Sequence, residues 1–412
     1  MSFFKKYFKG DPHIWAIIVG LSVFSLLAVY SSTSTMSYLY KGGNTAIYII
    51  RHSGFLAVGL MAAFVLHMFP CKFYARMSQW LIWIVILLLV VTLFFGVDEN
   101  EATRRIPILG FTFQTSDLAK VALIMFLAER LARRQEEIRD FKKTLLPLFI
   151  IIGVVCALIL PANFSTAAIL FGVCVILLYV GRASIRQLAG LCVITLALGA
   201  LLVGGLYGLH QFGMKNNVTQ RGVTVVNRID RFIGNNPEED SLGKNYQAIQ
   251  AKIAVGTGGI FGKGPGNSVQ RNFLPHPYSD FIFAIIIEEY GVLFGAIVLV
   301  FLYINLLYRS IKIAGKCDKT FPAFLVIGLA LIVVFQALVN MGVAVGLMPV
   351  TGQPLPLVSM GGTSMLFTGA AFGIILSVSR EQRIHEEMQN TKIEEVEPES
   401  EEIEEETDLQ TE

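Results

Sequence analysis

Ten apolar runs divide the chain, at about 14–34, 53–69, 79–97, 115–132, 144–161, 164–181, 187–209, 280–308, 321–345 and 363–379. A helix needs about 20 apolar residues to cross a bilayer core, with some latitude. Each run therefore predicts a transmembrane helix, and the expected fold is an all-α polytopic membrane protein with about ten spans. The fourth run is the least apolar, because Asp117 and Lys120 interrupt it. The first follows Lys5, Lys6 and Lys9 and is too long for a signal-peptide core, so it predicts an uncleaved anchor. No internal repeat is visible, which weighs against the many secondary transporters built from inverted repeats.

The polar connections set the sidedness. With the N-terminus inside, the inner segments hold 20 Lys and Arg, whereas the short outer loops hold Lys41, Arg51, Arg104 and Arg105. Positive charge accumulates on the cytoplasmic side, so both termini are expected there. The longest connection, about 210–279, then lies outside. Its eight basic residues do not oppose this, since long loops translocate largely regardless of charge. The segment 346–362, GLMPVTGQPLPLVSMGG, is also outside, and its prolines and glycines predict a re-entrant or capping loop. The expected organisation is a ten-span domain over 1–379 and a soluble inner tail over 380–412, Glu-rich, free of aromatic residues and without structure.

Composition agrees. Charged residues make up 16% of the chain and the mean hydropathy is +0.61. Soluble domains carry roughly 25% charge, so an ordinary soluble enzyme is excluded. The net charge of +2 hides an asymmetry: residues 394–412 hold eleven acids and no Lys or Arg, leaving 33 basic against 20 acidic groups before them. Such a body suits anionic headgroups or phosphates. The five cysteines form no CxxC pair and the six histidines no HExxH, so neither a disulfide framework nor a zinc site is expected.

Ionisable residues within spans are expensive and mark candidate sites. Gln114, Asp117 and Lys120 share one helix face, as a structural ion pair or as part of a site. Arg51 and His52 stand at the outer end of the second span, and Arg104 and Arg105 lie just before the polar stripe. Arg51, Arg104, Arg105 and Lys120 thus approach one outer face, where four cations would suit a diphosphate. The segment 254–270 carries six glycines, able to approach a ligand closely and turn amides toward anions, or simply to bend. It has no GK[ST], so nucleotide binding is rejected. Asp280 stands where a Pro-rich loop meets the eighth span, as a helix N-cap or as a reactive carboxylate. Glu288 and Glu289 follow and are expected to pair with bundle cations.

Together these segments resemble the shape, elongation, division and sporulation (SEDS) family of FtsW and RodA, over nearly the whole chain outside the acidic tail. The family's FQPSELAK is here Phe113 to Lys120, with Asp117 in place of Glu. Its Gly-rich segment ending in Gln runs from Gly256 to Gln270. Its LPExHTDFIFA appears as Leu274, Pro275 and Ser279 to Ala284, with His276 where the family has Glu. Its GLxPxTGxxLPxxSxGGSS is matched from Gly346 to Ser364, including Ser359. Of the family's Arg-Arg-Trp only Arg104 carries over, and its Gln-Pro-Asp reads Pro161-Ala162-Asn163.

The resemblance implies a peptidoglycan glycosyltransferase that polymerises lipid II, a disaccharide-pentapeptide on undecaprenyl diphosphate, at the outer face of the bacterial cytoplasmic membrane. It implies a class B penicillin-binding protein as transpeptidase partner, beside other divisome or elongasome membrane proteins. The tail and compact core lean toward the division branch. Asp280 is the expected general base, since one carboxylate suffices for inversion with a diphosphate leaving group. Arg51, Arg104, Gln114, Ser116, Asp117, Lys120, Gln270 and Ser359 are the expected substrate-binding set. The chemistry admits a divalent cation, Mg or Mn, although the sequence shows no metal cage. The rival functions are a lipid II flippase and a non-catalytic scaffold for the transpeptidase.

Overall fold

The computed structural model describes residues 8–40, 46–95, 97–99, 102–108, 111–213, 219, 222–223, 226, 246–274 and 277–409. Within 34–40, 95–112 and 390–409 only the backbone is described. Lys5, Lys6, Lys41, Pro275, His276 and most of 214–245 lie outside the described residues.

Helices run in the order α1 (Pro12–Tyr40), α2 (Ala46–Leu66), α3 (Cys71–Phe95), α4 (Thr115–Arg133), α5 (Leu146–Ile159), α6 (Phe164–Val180), α7 (Ile185–Gln211), α8 (Tyr246–Gly258), α9 (Ile282–Gly291), α10 (Val298–Gly315), α11 (Thr320–Ala344) and α12 (Thr363–Leu409). All ten apolar runs are helical. Among the described residues eight stretches are long and apolar enough to cross a membrane. Of the other two, α6 is apolar but has 17 residues, and α4 carries Asp117, Lys120, Glu129, Arg130 and Arg133. The helix α11 is the axis of the bundle, packed against α4, α6, α10 and α12. By contrast α7 packs mainly on α6 and leaves Val193, Leu196, Leu201 and other apolar side chains exposed, as lipid contact requires.

Close helix contact is made by small residues. A Cβ on Gly369 would collide with the backbone of Gly59, and one on Gly373 with that of Ala63, so α12 and α2 touch main chain to main chain. In a membrane such contact replaces the hydrophobic drive that lipid abolishes. Helix starts follow local chemistry: Asn163, where the family pattern has Asp, caps α6 by accepting from Thr166 N at 3.2 Å.

Four expectations change. The second span begins at Ala46, because Ala-Ile-Tyr-Ile-Ile extends its apolar face, so Arg51 and His52 lie inside a helix rather than at its end. The eighth span is two helices: Gly291 adopts φ 74°, ψ −179°, and a π turn over Val292–Ile297 joins α9 to α10. Third, an antiparallel sheet joins α3 to α4 in this otherwise helical chain, with β1 Val97–Glu99, β2 Ala102–Ile108 and β3 Phe111–Gln114. Its register sets Arg105 opposite Gln114 and Ile106 opposite Phe113. The alternation of Ile106 and Ile108 with Phe111 and Phe113 was the available strand signal.

The fourth concerns the tail, which continues α12 as far as Leu409. Glu, Gln, Met and Lys are good helix formers, and the first turns past the span are tied down. Glu381 accepts from Cys71 N at 2.9 Å, Arg380 donates to Met68 O at 2.7 Å, and Arg383 donates to Gly10 O at 2.9 Å. Nearby, Asp11 pairs with Arg309. Burial pushes the Asp11 carboxyl up, but hydrogen bonds from Arg309 and His13 outweigh it and hold the group below the usual carboxylate range.

Truncation after Gln389 is therefore expected to leave the thermal midpoint of the purified protein unchanged. Truncation after Ser379 removes several hydrogen bonds, each worth about 0.5–1.5 kcal/mol, and should lower it by several degrees. Equal melting of the two truncates would contradict this pinning.

Candidate functional site

Three of the four sequence motifs meet at one end of the bundle. The first is the polar stripe of α4. Lys120 and Asp117 are buried and form an ion pair at 2.8 Å, and Lys120 Nζ also donates to Gln336 Oε1 on α11 at 2.7 Å. Asp117 Oδ2 is buried without a hydrogen-bond partner among the described residues. A narrow cleft, partly open to solvent, lies beside this pair. It is lined by Asp117, Lys120, Gln336, Pro356, Ser364 and Thr368, with apolar walls from α4, α11 and α12.

The second is the loop 346–362, which is buried over much of its length and pinned by side chains from several helices. Gln336 Nε2 donates to Pro354 O at 3.0 Å, and Asn340 Nδ2 donates to Gln353 O at 2.7 Å. Gln353 Nε2 donates to Thr166 of α6 at 2.7 Å, and Tyr303 hydroxyl to Pro356 O at 2.6 Å. Ser25 donates to Val358 O at 3.0 Å and is 2.8 Å from His52 Nε2, which places buried His52 as a brace of this loop.

The third is the turn 277–281, which carries Asp280. It lies directly against the proline loop. Met360 N donates to Tyr278 O at 2.9 Å and Ser359 hydroxyl to Ser279 O at 2.7 Å, while Asn340 Nδ2 donates to Asp280 O at 2.8 Å. The carboxylate Oδ1 accepts from Ser279 hydroxyl at 3.0 Å. The N-cap of α9 is Phe281, and no side chain hydrogen-bonds that cap. The alternative reading of Asp280 as a helix cap is not what the geometry displays.

The glycine-rich segment does something other than cradle a ligand. Its amides are taken up by the protein's own carboxylates. Glu288, fully buried, accepts from Val269 N at 3.1 Å, Gln270 N at 3.2 Å and Lys263 Nζ at 2.6 Å, and from Ser268 hydroxyl. Glu289 is bonded to Ser31, with Arg271 Nη1 at 4.0 Å. Both glutamates thus meet cations of the 210–279 loop, Lys263 and Arg271, rather than the bundle cations expected. The glycines allow main chain to lie in the break of α9: Val292 N donates to Gly259 O at 3.0 Å and Lys263 N to Glu288 O at 2.9 Å. A Cβ on Gly262 would strike the backbone of Glu289.

The remaining site residues are placed as follows. Gln114 Nε2 donates to Ser116 hydroxyl at 3.1 Å, and Gln114 N to Thr363 hydroxyl at 3.3 Å, tying β3 to the start of α12. Ser359 is buried with its hydroxyl held between Leu355 N and Ser279 O, so it braces the turn. Gln270 is held by Glu288 through its backbone, away from the α4 stripe, and its buried Oε1 has no partner among the described residues. Arg51 is exposed on α2, 6.0 Å from the Phe55 ring centre. Arg104 lies in β2, next to the Arg105–Gln114 pairing, and only its backbone is described. Among the described residues no group of three or more His, Cys, Asp or Glu is arranged to hold a metal ion. The donor set among the described residues therefore forms no cage for a resident metal.

Sequence reading missed Gln336 and Asn340. The signal was present, as two carboxamides four residues apart inside a strongly apolar run. A search confined to charged residues passes over them.

Comparison with known proteins follows the same outline. The family model for cell cycle proteins of the FtsW, RodA and SpoVE type matches residues 12–384. Stage V sporulation protein E of Bacillus subtilis (strain 168) is 33% identical over 382 residues, covering 91% of this chain and 99% of that protein. A probable peptidoglycan glycosyltransferase FtsW of Trichlorobacter lovleyi is 32% identical over 372 residues, covering 90% and 93%. Among solved structures, a chain described under "Structural coordination of polymerization and crosslinking by a peptidoglycan synthase complex" superposes with a TM-score of 0.68. It is 26% identical and covers 90% of this chain and 98% of its own.

Proposed function

Since the chain belongs to the cell cycle protein family of FtsW, RodA and SpoVE, we propose that it is a peptidoglycan glycosyltransferase that polymerises lipid II, with Asp280 as general base. The observation that carries this is the convergence of the α4 ion pair, the proline loop and the Asp280 turn through one hydrogen-bonded network. A polymerase must hold an anionic leaving group near a base that receives the proton of the attacking hydroxyl. Lys120 supplies a cation beside a narrow cleft with apolar walls, and its charge is of the kind that a lipid-linked diphosphate requires. Asp280 sits in a turn held through its main chain, and its Oδ1 accepts from the Ser279 hydroxyl.

In the reaction the acceptor 4-hydroxyl attacks C1 of the donor sugar. The C1–oxygen bond to the diphosphate breaks, the proton passes to Asp280, and the configuration at C1 inverts. Arg51 and Arg104 complete the cationic approach, Gln114 and Ser116 shape its polar surroundings, and Ser359 braces the Asp280 turn. A cross-linking transpeptidase is the expected partner, as the structural relative comes from a synthase complex in which polymerization and crosslinking are coordinated. The division (FtsW-like) branch is favoured over the elongation (RodA-like) branch, in line with a relative named FtsW. A purified chain that forms glycan from lipid II in detergent, with no second compartment, would support the polymerase reading. Lipid II transport without glycan would favour the flippase.

The same reading places the termini in the cytoplasm and the 210–279 loop outside. In a variant lacking the native cysteines, Asp240→Cys should react with an impermeant thiol reagent in intact cells and Glu137→Cys should not. The reverse pattern would overturn the proposed orientation.

A further inference from the structure

We propose that Gln336 and Asn340, one turn apart on α11, are positioning residues that hold the leaving-group cation and the base in register. This role rests on Lys120 as the leaving-group cation and Asp280 as the base. Each carboxamide spans two partners. Gln336 accepts from Lys120 at 2.7 Å and donates to Pro354 O at 3.0 Å. Asn340 Nδ2 donates to Gln353 O at 2.7 Å and to Asp280 O at 2.8 Å. The two anchor carbonyls belong to adjacent residues of the proline loop, so the chain Lys120–Gln336–Pro354–Gln353–Asn340–Asp280 is continuous.

The orientations are fixed by donor and acceptor identity. Flipping the Asn340 amide would set its oxygen against two carbonyl oxygens, and flipping Gln336 would set an NH₂ group against an ammonium. Both side chains are buried, at 4% and 1% exposure, so water does not readily replace these bonds. Burial of two carboxamides in an apolar helix is costly unless they are satisfied. Yet Asn340 Oδ1 has no partner among the described residues. The amide is thus oriented by its two donated bonds alone, both toward the turn and the loop. Neither residue reaches the reaction by charge, and each acts through a group it holds.

The inference predicts a split in kinetics. Gln336→Ala frees Lys120 to turn wholly onto Asp117. A hydrogen bond to a charged group is among the stronger ones, so KM for lipid II should rise roughly tenfold or more with kcat less affected. Asn340→Ala frees the Asp280 turn, and kcat should fall by up to roughly a hundredfold with KM little changed, since small misplacement of a base has that effect. Combined, the two should be non-additive, because they share one loop segment.

The test is initial-rate glycan synthesis from labelled lipid II by purified full chains, with thermal midpoints recorded alongside. Asn340→Ser, which keeps one donor, guards against a folding artefact and should fall between wild type and alanine in kcat. Wild-type kinetics in both alanine variants, in an enzyme that Asp280→Asn inactivates, would overturn this inference alone. Equal losses of kcat with no KM split, or loss of folding in both Asn340 variants, would also overturn it and leave the pair as packing. A wild-type chain that makes no glycan, or one that Asp280→Asn leaves fully active, would sink the underlying reading as well.

Discussion

Asp280→Asn should reduce glycan polymerisation at least about a hundredfold, within the range for removal of a general base, while the protein purifies in normal yield. Asparagine has the same size but cannot take the proton of the attacking hydroxyl. The main-chain bonds that hold the turn survive the exchange. The turn is held by bonds to the carbonyls of Tyr278, Ser279 and Asp280, which the side chain at 280 does not make. The cap of α9 falls at Phe281 with no side-chain bond. Ser279 donates its hydroxyl to Oδ1, and the amide oxygen of Asn can still accept that bond. The check is the initial rate at saturating lipid II beside size-exclusion behaviour. A monodisperse variant polymerising at near the wild-type rate would remove Asp280 from the chemistry.

The second large effect concerns the buried pair on α4. Lys120→Met should destabilise the protein, because Asp117 is 3% exposed and its Oδ2 already lacks a partner among the described residues. Breaking such a pair on one side costs about 3–5 kcal/mol. Replacing both members by Asp117→Asn with Lys120→Met should recover most of that stability, since a neutral pair leaves no uncompensated charge. Glycan synthesis should not recover, because the cation facing the cleft is gone. Thermal melting and activity, measured on the single and double variants, separate the two roles. A double variant that regains activity along with stability would make the pair a structural device only.

Much of the fold was legible because a bilayer leaves few choices. Ten apolar runs had to be helices, since an unpaired backbone in hydrocarbon is too costly. What the runs concealed were interruptions set by tertiary contact. The break at Gly291 looks like an ordinary glycine in an apolar stretch, and only the main chain of 259–264 lying across it explains the π turn. The tail composition signals solvation, yet Arg380, Glu381 and Arg383 tie its first turns to Met68, Cys71 and Gly10, partners hundreds of positions away.

The candidate site was legible where charge marked it, at Asp117, Lys120 and Asp280. It was illegible where neutral amides do the holding. Gln336 and Asn340 carry no charge, and their partners are backbone carbonyls that any sequence supplies. The glycine-rich segment was suggestive for a sound reason, since its amides do bind an anion, but that anion is Glu288.

The central claim is that this chain joins lipid-linked disaccharides, and one measurement bears on it most directly. The purified full-length protein, alone and with its cognate transpeptidase, is incubated in detergent with labelled lipid II, and the product is resolved by length. The account predicts a ladder of glycan strands that disappears with Asp280→Asn. Unconverted lipid II under all these conditions, from a protein that moves labelled lipid II across vesicle membranes, would contradict it.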